Sequence, residues 1–393
     1  MVLLSLIPLG RFLFEEYQKR FLLPEWNATL RSPTATASQK AEAIRGLARS
    51  GLPLDLTDVT LDDVAVNGID ARRSEFIRFI GAHLNNVTVE SSLLPNAAFS
   101  QSVIVGGKFD KTSLEVSRFD EATIADTTFS NAGLYRSLFD RALFCGEVKF
   151  SSSDVRLASF RSVSFDGGRV PQFDGTAWWL AVGWSMQQIQ TLAARSSGVD
   201  YKDSPLFKNE MQYHENRLSH APEPTLSRAM ALNGKAWALA TYGIDLADAE
   251  KLSQEALVIV RGSAGKPDEL SAVVREEAND MDTLAYIQMQ AGKMSDALEN
   301  MKAAVQKAQE YGVTPNDVIF RYALALFVAG QRDEAIRNLK QALDDMNYVP
   351  SHEMHLLKQY IKGEFLANLE TLVSKNLPKL APPAATCPAN SPG

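Results

Sequence analysis

The sequence predicts two solenoids in tandem, a square coil of short parallel β-strands followed by an α-helical array. Three observations predict it. A large apolar residue returns at every fifth position through much of residues 54–173. From about residue 226 the period becomes helical, with small residues at matching places in successive helix pairs. The chain of 393 residues has room for two or three modules with cores of their own, and its apolar and charged contents are those of folded domains.

Residues 1–37 read as an apolar segment and a linker. MVLLSLIPLGRFLFEEYQKRFLLPEW lacks the basic start and the small-residue cleavage site of a signal peptide. Its uncharged run stops at Arg11, short of the roughly twenty residues a spanning helix needs. Yet Phe12, Leu13, Phe14, Tyr17, Phe21, Leu22, Leu23 and Trp26 crowd the next stretch with large apolar groups. Two readings stand: a helix docked on a neighbouring module, or a membrane-surface segment, including the stub of a spanning helix that begins upstream. In the second reading residues 1–26 meet the membrane, with Arg11, Lys19 and Arg20 at the headgroups, and NATLRSPTATASQ is a linker.

Residues 38–53 read as a capping helix. SQKAEAIRGLARSG has Ser38 near its start and Gly51 past its end. A coil of strands leaves open ends that something must cover.

The five-residue period runs through Leu84, Val89, Leu94, Phe99, Ile104, Phe109, Leu114, Phe119, Ile124, Phe129, Leu134, Phe139 and Phe144. Two residues before each stands a mostly small residue, such as Ala97, Ser102, Gly107, Thr112 and Ser117. The pattern resumes at Phe150, Val155, Phe160 and Phe165, and runs upstream through Leu61, Val66 and Phe76. Residues two apart on a strand point the same way, so the small and the large residue both face inward. The others of each five turn a corner and face water. Four such sides close a square coil, and small residues are needed because so narrow a tube cannot hold two large groups per side. Phase slips near residues 77–83 and 145–149 predict loops or bulges there.

TSLEV, SRFDE, ATIAD, TTFSN and SLFDR carry the resemblance: this stretch is similar to the pentapeptide-repeat family. That implies a right-handed quadrilateral parallel β-helix, about six coils at roughly 4.8 Å per layer.

Residues 174–225 read as a helical cap and connector. Asp174 or Thr176 is positioned to cap a helix on which Trp178, Val182, Ile189 and Leu192 share one stripe, with Trp178, Trp179 and Trp184 plugging the coil. An aromatic ligand site is the other reading of those indoles.

Residues 226–376 repeat a helix-pair plan. Ala297, Met301 and Ala304 align with Ala335, Leu339 and Ala342, and Ala249 and Ala256 with the outer two of each trio. Gly292 and Gly330 mark turns, KPDELSAVVREEAND holds an insertion, and SHEMHLLKQYIKGEFLANLETLVSKN reads as a final capping helix. This plan resembles the tetratricopeptide repeat. Residues 377–393 read as a disordered tail.

The tetratricopeptide resemblance implies a concave groove lined by the first helices, holding a protein or peptide. Aligning those helices puts Asn233, Asp282 and Phe320 in one row. Trp237, Tyr286 and Leu324 make the next, and Ala240, Met289 and Phe327 a third. The alternative is that some of these rows pack between helices.

No catalytic constellation, cofactor motif or metal set is signalled, so the expectation is a protein that is not an enzyme. His352-x-x-His355 with Glu353 lacks a third ligand and reads as a solvated helical face. His214 and His220 are no better placed. Cys145 reads as a packed or loop thiol, and the glycines of VGGK and FDGG lack a phosphate-loop ending. Cys145 and Cys387 offer no disulfide framework, which points to a reducing compartment. The net charge of −7 and the lack of a long basic block argue against nucleic acid as partner.

The resulting expectation is a bacterial adaptor or scaffold, cytoplasmic and at most peripheral to or anchored at the inner membrane. The alternative, drawn from the pentapeptide resemblance, is a topoisomerase-binding mimic of DNA. Mimicry needs a face dominated by acids, and Lys108, Arg118, Arg136, Arg141 and Arg156 interrupt those here.

Overall fold

The computed structural model describes residues 17–166, 169–195, 201–263, 270–310, 312, 315–344, 349–376 and 386–388. The chain forms two compact units, Met1–Trp184 with Leu380–Gly393, and Ser185–Lys379.

The first unit opens with a π-helical turn, Gln18–Leu22, running into α1 (Leu23–Arg31), followed by α2 (Ala37–Ser50). α1 docks on α2: Leu30 is buried, and the Trp26 indole lies so close to Gly46 that a Cβ there would clash with it. The expected linker is therefore partly helical, because Asn27–Arg31 complete α1. The cap of α2 is Thr36 rather than Ser38, with Gln39 closing a reciprocal capping box. Residues 1–16, and with them Arg11, lie outside the described residues.

α2 seals the coil by a mechanism that its apolar pattern did not announce. Lys40 Nζ donates to the Thr60 carbonyl at 2.8 Å and Arg45 Nη2 to the Ala65 carbonyl at 3.2 Å. Arg31 Nη1 donates to the Thr57 carbonyl at 3.1 Å. These carbonyls belong to the first coil, so three cations serve its open edge.

The β-solenoid follows the five-residue period. One parallel ladder runs through Thr60–Asp62, His83–Asn85, Val103–Val105, Thr123–Ala125, Leu143–Cys145 and Ser164–Phe165. A second runs through Ala65–Asn67, Thr88–Glu90, Lys108–Asp110, Thr128–Ser130 and Lys149–Ser151. The other two sides are completed by single bridges, among them Leu93 with Ser113 and Ala98 with Arg118, and at the first coil by a two-residue ladder of Leu54–Asp55 with Ile77–Arg78.

Aromatic side chains stack down the interior. Phe79, Phe99, Phe119, Phe139, Phe160 and Trp184 form one column with ring centres 4.2–4.9 Å apart. Phe109, Phe129, Phe150 and Phe173 form another at 4.9–5.0 Å. Rings in neighbouring columns meet edge to face, as in Phe119 and Phe129 at 5.9 Å. Small polar residues fill the gaps, fully buried, with hydroxyls turned to main-chain carbonyls: Ser117 to Leu94, Ser137 to Leu114 and Ser153 to Phe129.

The slip near 145–149 is where the sequence put it: the register step rises from 20 at Cys145 to 21 at Lys149. The earlier slip is misplaced. Asp70 pairs 23 residues ahead with Leu93, whereas Arg78 pairs 20 ahead with Ala98, so the three extra residues fall between Asp70 and Arg78. Phe79 thus takes the core place expected of Phe76, whose ring instead lies beneath the Arg78 guanidinium.

At the far end the predicted helix is absent before residue 186. Gln172 and Val182 still bridge to the coil, so residues 170–184 continue the winding. Trp178–Leu180 form a single 3₁₀ turn. Trp178, Trp179 and Trp184 are nonetheless buried, and Trp184 extends the phenylalanine column.

Among its described residues the second unit holds α3 (Met186–Arg195), α4 (Pro205–His220) and three helix pairs: α5 (Leu226–Tyr242) with α6 (Leu246–Gly262), α7 (Leu270–Gln290) with α8 (Met294–Glu310), and α9 (Asn316–Val328) with α10 (Arg332–Asp344). Ala249, Ala256, Ala297, Met301, Ala335, Leu339 and Ala342 are all fully buried, which is how small residues let paired helices approach. The expected insertion is partly helix, since α7 begins at Leu270 and is longer than its counterparts. The expected capping helix is two: α11 (Ser351–Leu356) and α12 (Gly363–Asn376), the latter packed on α10.

Candidate functional site

A charged and aromatic cluster sits where the first helices, α5, α7 and α9, meet the chain's own residues 349–365. Arg321 of α9 is its centre, 1% exposed. Its Nη2 donates to Asp282 of α7 at 2.7 Å and to Asp317, one turn earlier on α9, at 3.0 Å. Its Nη1 donates to Glu353 of α11 at 2.6 Å. The guanidinium carbon lies 5.7 Å from the Trp237 ring centre and 5.4 Å from that of Tyr286. Tyr286 Oη stands 3.2 Å from His352 Nε2, and the His352 ring is 5.8 Å from that of Trp237.

One guanidinium faces three carboxylates, so full ionisation would leave three negative charges against one positive, a net −2. Burial answers this by favouring protonated acid. It pushes Glu353 up to about 7 against the pull of Arg321, and pushes Asp282 up as well. Burial also lifts Asp317, but there the charge of Arg321 and its hydrogen bond win, and that carboxyl falls below its usual range. Burial followed by the charge of Arg321 drives His352 down to about 3, so its imidazole is neutral. Burial and Lys358 bring His355 down to about 4.

The expected solvated face of His352, Glu353 and His355 is thus overturned. A helix drawn from sequence alone gives no hint that α11 lies against α3, α5, α7 and α9. Arg321 and Asp317 were missed, although a lone arginine in the apolar run VIFRYALALFV is a readable anomaly.

The three predicted rows divide. Asp282, Tyr286 and Trp237 gather around Arg321. Phe320 and Phe327 meet the Phe365 ring of α12 at 5.9 and 5.3 Å. Leu324, Ala240 and Met289 are fully buried, and the Ala240 carbonyl accepts from Gln290 Nε2. Asn233 is also buried, its Oδ1 without a hydrogen-bond partner among the described residues. Of the predicted positions, Trp237 and Tyr286 meet His352, and Phe320 and Phe327 meet Phe365, so part of the side that the sequence assigned to a ligand is covered by the chain itself.

A second buried acid lies on α7. Asp280 is fully buried, neither oxygen has a hydrogen-bond partner among the described residues, and burial, then Glu276 and Glu277, push it up to about 9. His214 is buried against Gly234, and burial lowers its pKa. Among the described residues no group of three or more His, Cys, Asp or Glu is arranged to hold a metal, and no helix is long and apolar enough to cross a membrane.

Cys145 is not a free thiol: it is bonded to Cys387 across 242 residues, which overturns the reading of two unpaired cysteines. On the coil surface, acids are matched by local cations, Arg118 with Asp120 at 2.9 Å, Arg156 with Asp154 at 2.8 Å, and Arg141 with Glu121.

No family model matches the chain, and no curated protein matches it. Among solved structures, it is similar to a pentapeptide repeat protein, Rfr23, from the cyanobacterium Cyanothece 51142, with 12% identity over 29% of this chain and 91% of that one, TM-score 0.22. It is similar to a Podosopora anserina putative kinesin light chain with nearly identical TPR-like repeats, with 16% identity over 48% of this chain and 95% of that one, TM-score 0.31. A pentapeptide repeat protein of the Arabidopsis thaliana thylakoid lumen matches at 17% identity over 41% and 86%, TM-score 0.18. The fold itself is a parallel β-solenoid followed in the chain by an array of helix pairs.

Proposed function

We propose that the protein is a non-enzymatic adaptor that takes a protein or peptide partner on the face of its first helices, with the β-solenoid as spacer or second surface. One observation carries this reading. That face already holds a peptide-like stretch, residues 349–365, through an ion pair to Arg321, aromatic contacts to Trp237 and Tyr286, and the Phe365 anchor. A partner that competes for it needs the same chemistry: a carboxylate for Arg321, flanked by a flat ring and an apolar anchor.

The test is affinity capture with the full chain, followed by the same capture with Trp237→Ala and Tyr286→Ala together. Loss of a captured protein with unchanged circular dichroism supports the reading. Retention of every captured protein by the folded double variant sinks it. Membrane contact through residues 1–26 belongs to the same proposal, supported by Tyr17 and Phe21, which are 51% and 58% exposed. Flotation with anionic liposomes, lost on deleting residues 1–26, checks it.

A further inference from the structure

Outward positions on a solenoid side face water and are polar in most coils. One side departs from this. At successive coils its two outward positions read Thr60 and Asp62, His83 and Asn85, then Val103 and Val105, Thr123 and Ala125, Leu143 and Cys145. The change from polar to apolar is abrupt and lasts three coils. The neighbouring side stays polar at the same levels, with Lys108 and Asp110, Thr128 and Ser130, Lys149 and Ser151.

The apolar strip is covered. Ala125 and Cys145 are fully buried and Leu143 nearly so, although all three point away from the coil interior. What lies on them comes from the far end of the chain: Cys387, like Val105, packs against the cluster of Ala125, Leu143 and Cys145, and its sulfur is bonded to that of Cys145. The strip and the bond are separate observations that name the same occupant.

We propose that Thr386–Pro388 is a covalent strap over this strip, that the working state of the protein is the oxidised one, and that reduction uncovers the strip. Closing the strap removes two electrons and two protons from the thiols of Cys145 and Cys387. A disulfide-bearing oxidant takes them up and becomes two thiols. A structural bond of this kind belongs to oxidising surroundings and replaces the reducing compartment inferred from the supposedly unpaired cysteines. The strap also accounts for a sequence oddity. Val105, Ala125 and Leu143 would be a standing aggregation risk on a bare β-face, and a cover removes it.

The test uses the full chain purified without reductant. Thiol titration in denaturant is expected to find no free thiol before reduction and two after it, and peptide mapping to join the Cys145 and Cys387 peptides. Two free thiols at the outset would overturn the strap. In the Cys387→Ser variant, Cys145 of the folded chain is then expected to react with an alkylating agent within about tenfold of its rate in denaturant. Protection of a hundredfold or more would show that contacts alone keep the segment in place, and would overturn redox control. If Cys387→Ser does not fold, the same comparison is made on wild-type chain reduced after folding, with the same two outcomes.

Discussion

Replacing Glu353 by Gln turns the charge balance at Arg321 into a measurable pH dependence. The carboxyl has an ordinary pKa of 4.5 and is lifted to about 7 in the folded chain, chiefly by burial. Between those values the folded state holds a proton that the unfolded state has released. Stability therefore falls as pH rises through this window and levels off above it. For one group with these two pKa values, the loss between pH 5 and pH 7 is about 2 kcal/mol. Gln keeps the side-chain oxygen that accepts from Arg321 Nη1 and cannot ionise. Asp282 and Asp280 are raised too and tilt both proteins alike, so the quantity to read is the wild-type minus variant difference. Denaturant midpoints of the helical transition, followed at 222 nm at pH 5, 6, 7 and 8, give it. Wild type is expected to lose about 2 kcal/mol relative to Glu353→Gln from pH 5 to 7, or about 4–8 °C in Tm for a unit of this size, and little more by pH 8. Parallel pH profiles would refute the charge-balance argument, for they would mean that Glu353 is ionised throughout or that α11 is not docked.

Three further outcomes follow from the same reasoning. Asp280→Asn is expected to gain on wild type by about 1.4 kcal/mol per pH unit between roughly pH 5 and 8, since the folded acid stays protonated while the unfolded one is ionised; a flat difference in denaturant midpoints counts against its burial. Trp178→Ser with Trp179→Ser removes two fully buried indoles at the end of the solenoid and is expected to cost on the order of 3–5 kcal/mol at each site, seen as a lower melting temperature or loss of soluble protein. Val116 holds φ +60° at an exposed corner, so Val116→Gly is expected to raise the solenoid's stability by about 1 kcal/mol; an unchanged or lower midpoint would contradict strain at that corner.

The solenoid was legible because its rule is local. One inward large residue per five, with a small one two places before, repeats regardless of what lies elsewhere in the chain. Legibility failed where the winding absorbs extra residues. Phe76 fits the five-residue count, and only pairing to the next coil shows that the insertion at residues 71–77 hands its place to Phe79. It failed likewise at Trp178 and Val182, whose spacing of four suits a helical stripe equally well. The choice was made by Gln172 and Val182, which still find partners in the previous coil. Backbone pairing outweighed helix propensity there.

The candidate site was half legible for a related reason. Repeat alignment finds what the first helices share, and so it found Trp237, Tyr286 and Asp282. It is blind to what one helix has alone, such as Arg321, and to what a non-repeating segment brings from outside, such as His352 and Glu353. Cys387 belongs to that second class: a cysteine in a proline- and alanine-rich tail looks inert until the strip of Val105, Ala125 and Cys145 gives it a place to bind. In both units the residues that escaped the repeat are those that cover it. A repeat surface is regular enough to accept many extended chains, and a chain that carries such a surface gains specificity by supplying its own first occupant. Under the adaptor and strap proposals, whatever binds either surface must displace its covering segment, and the contacts to break are Arg321–Glu353 and Cys145–Cys387.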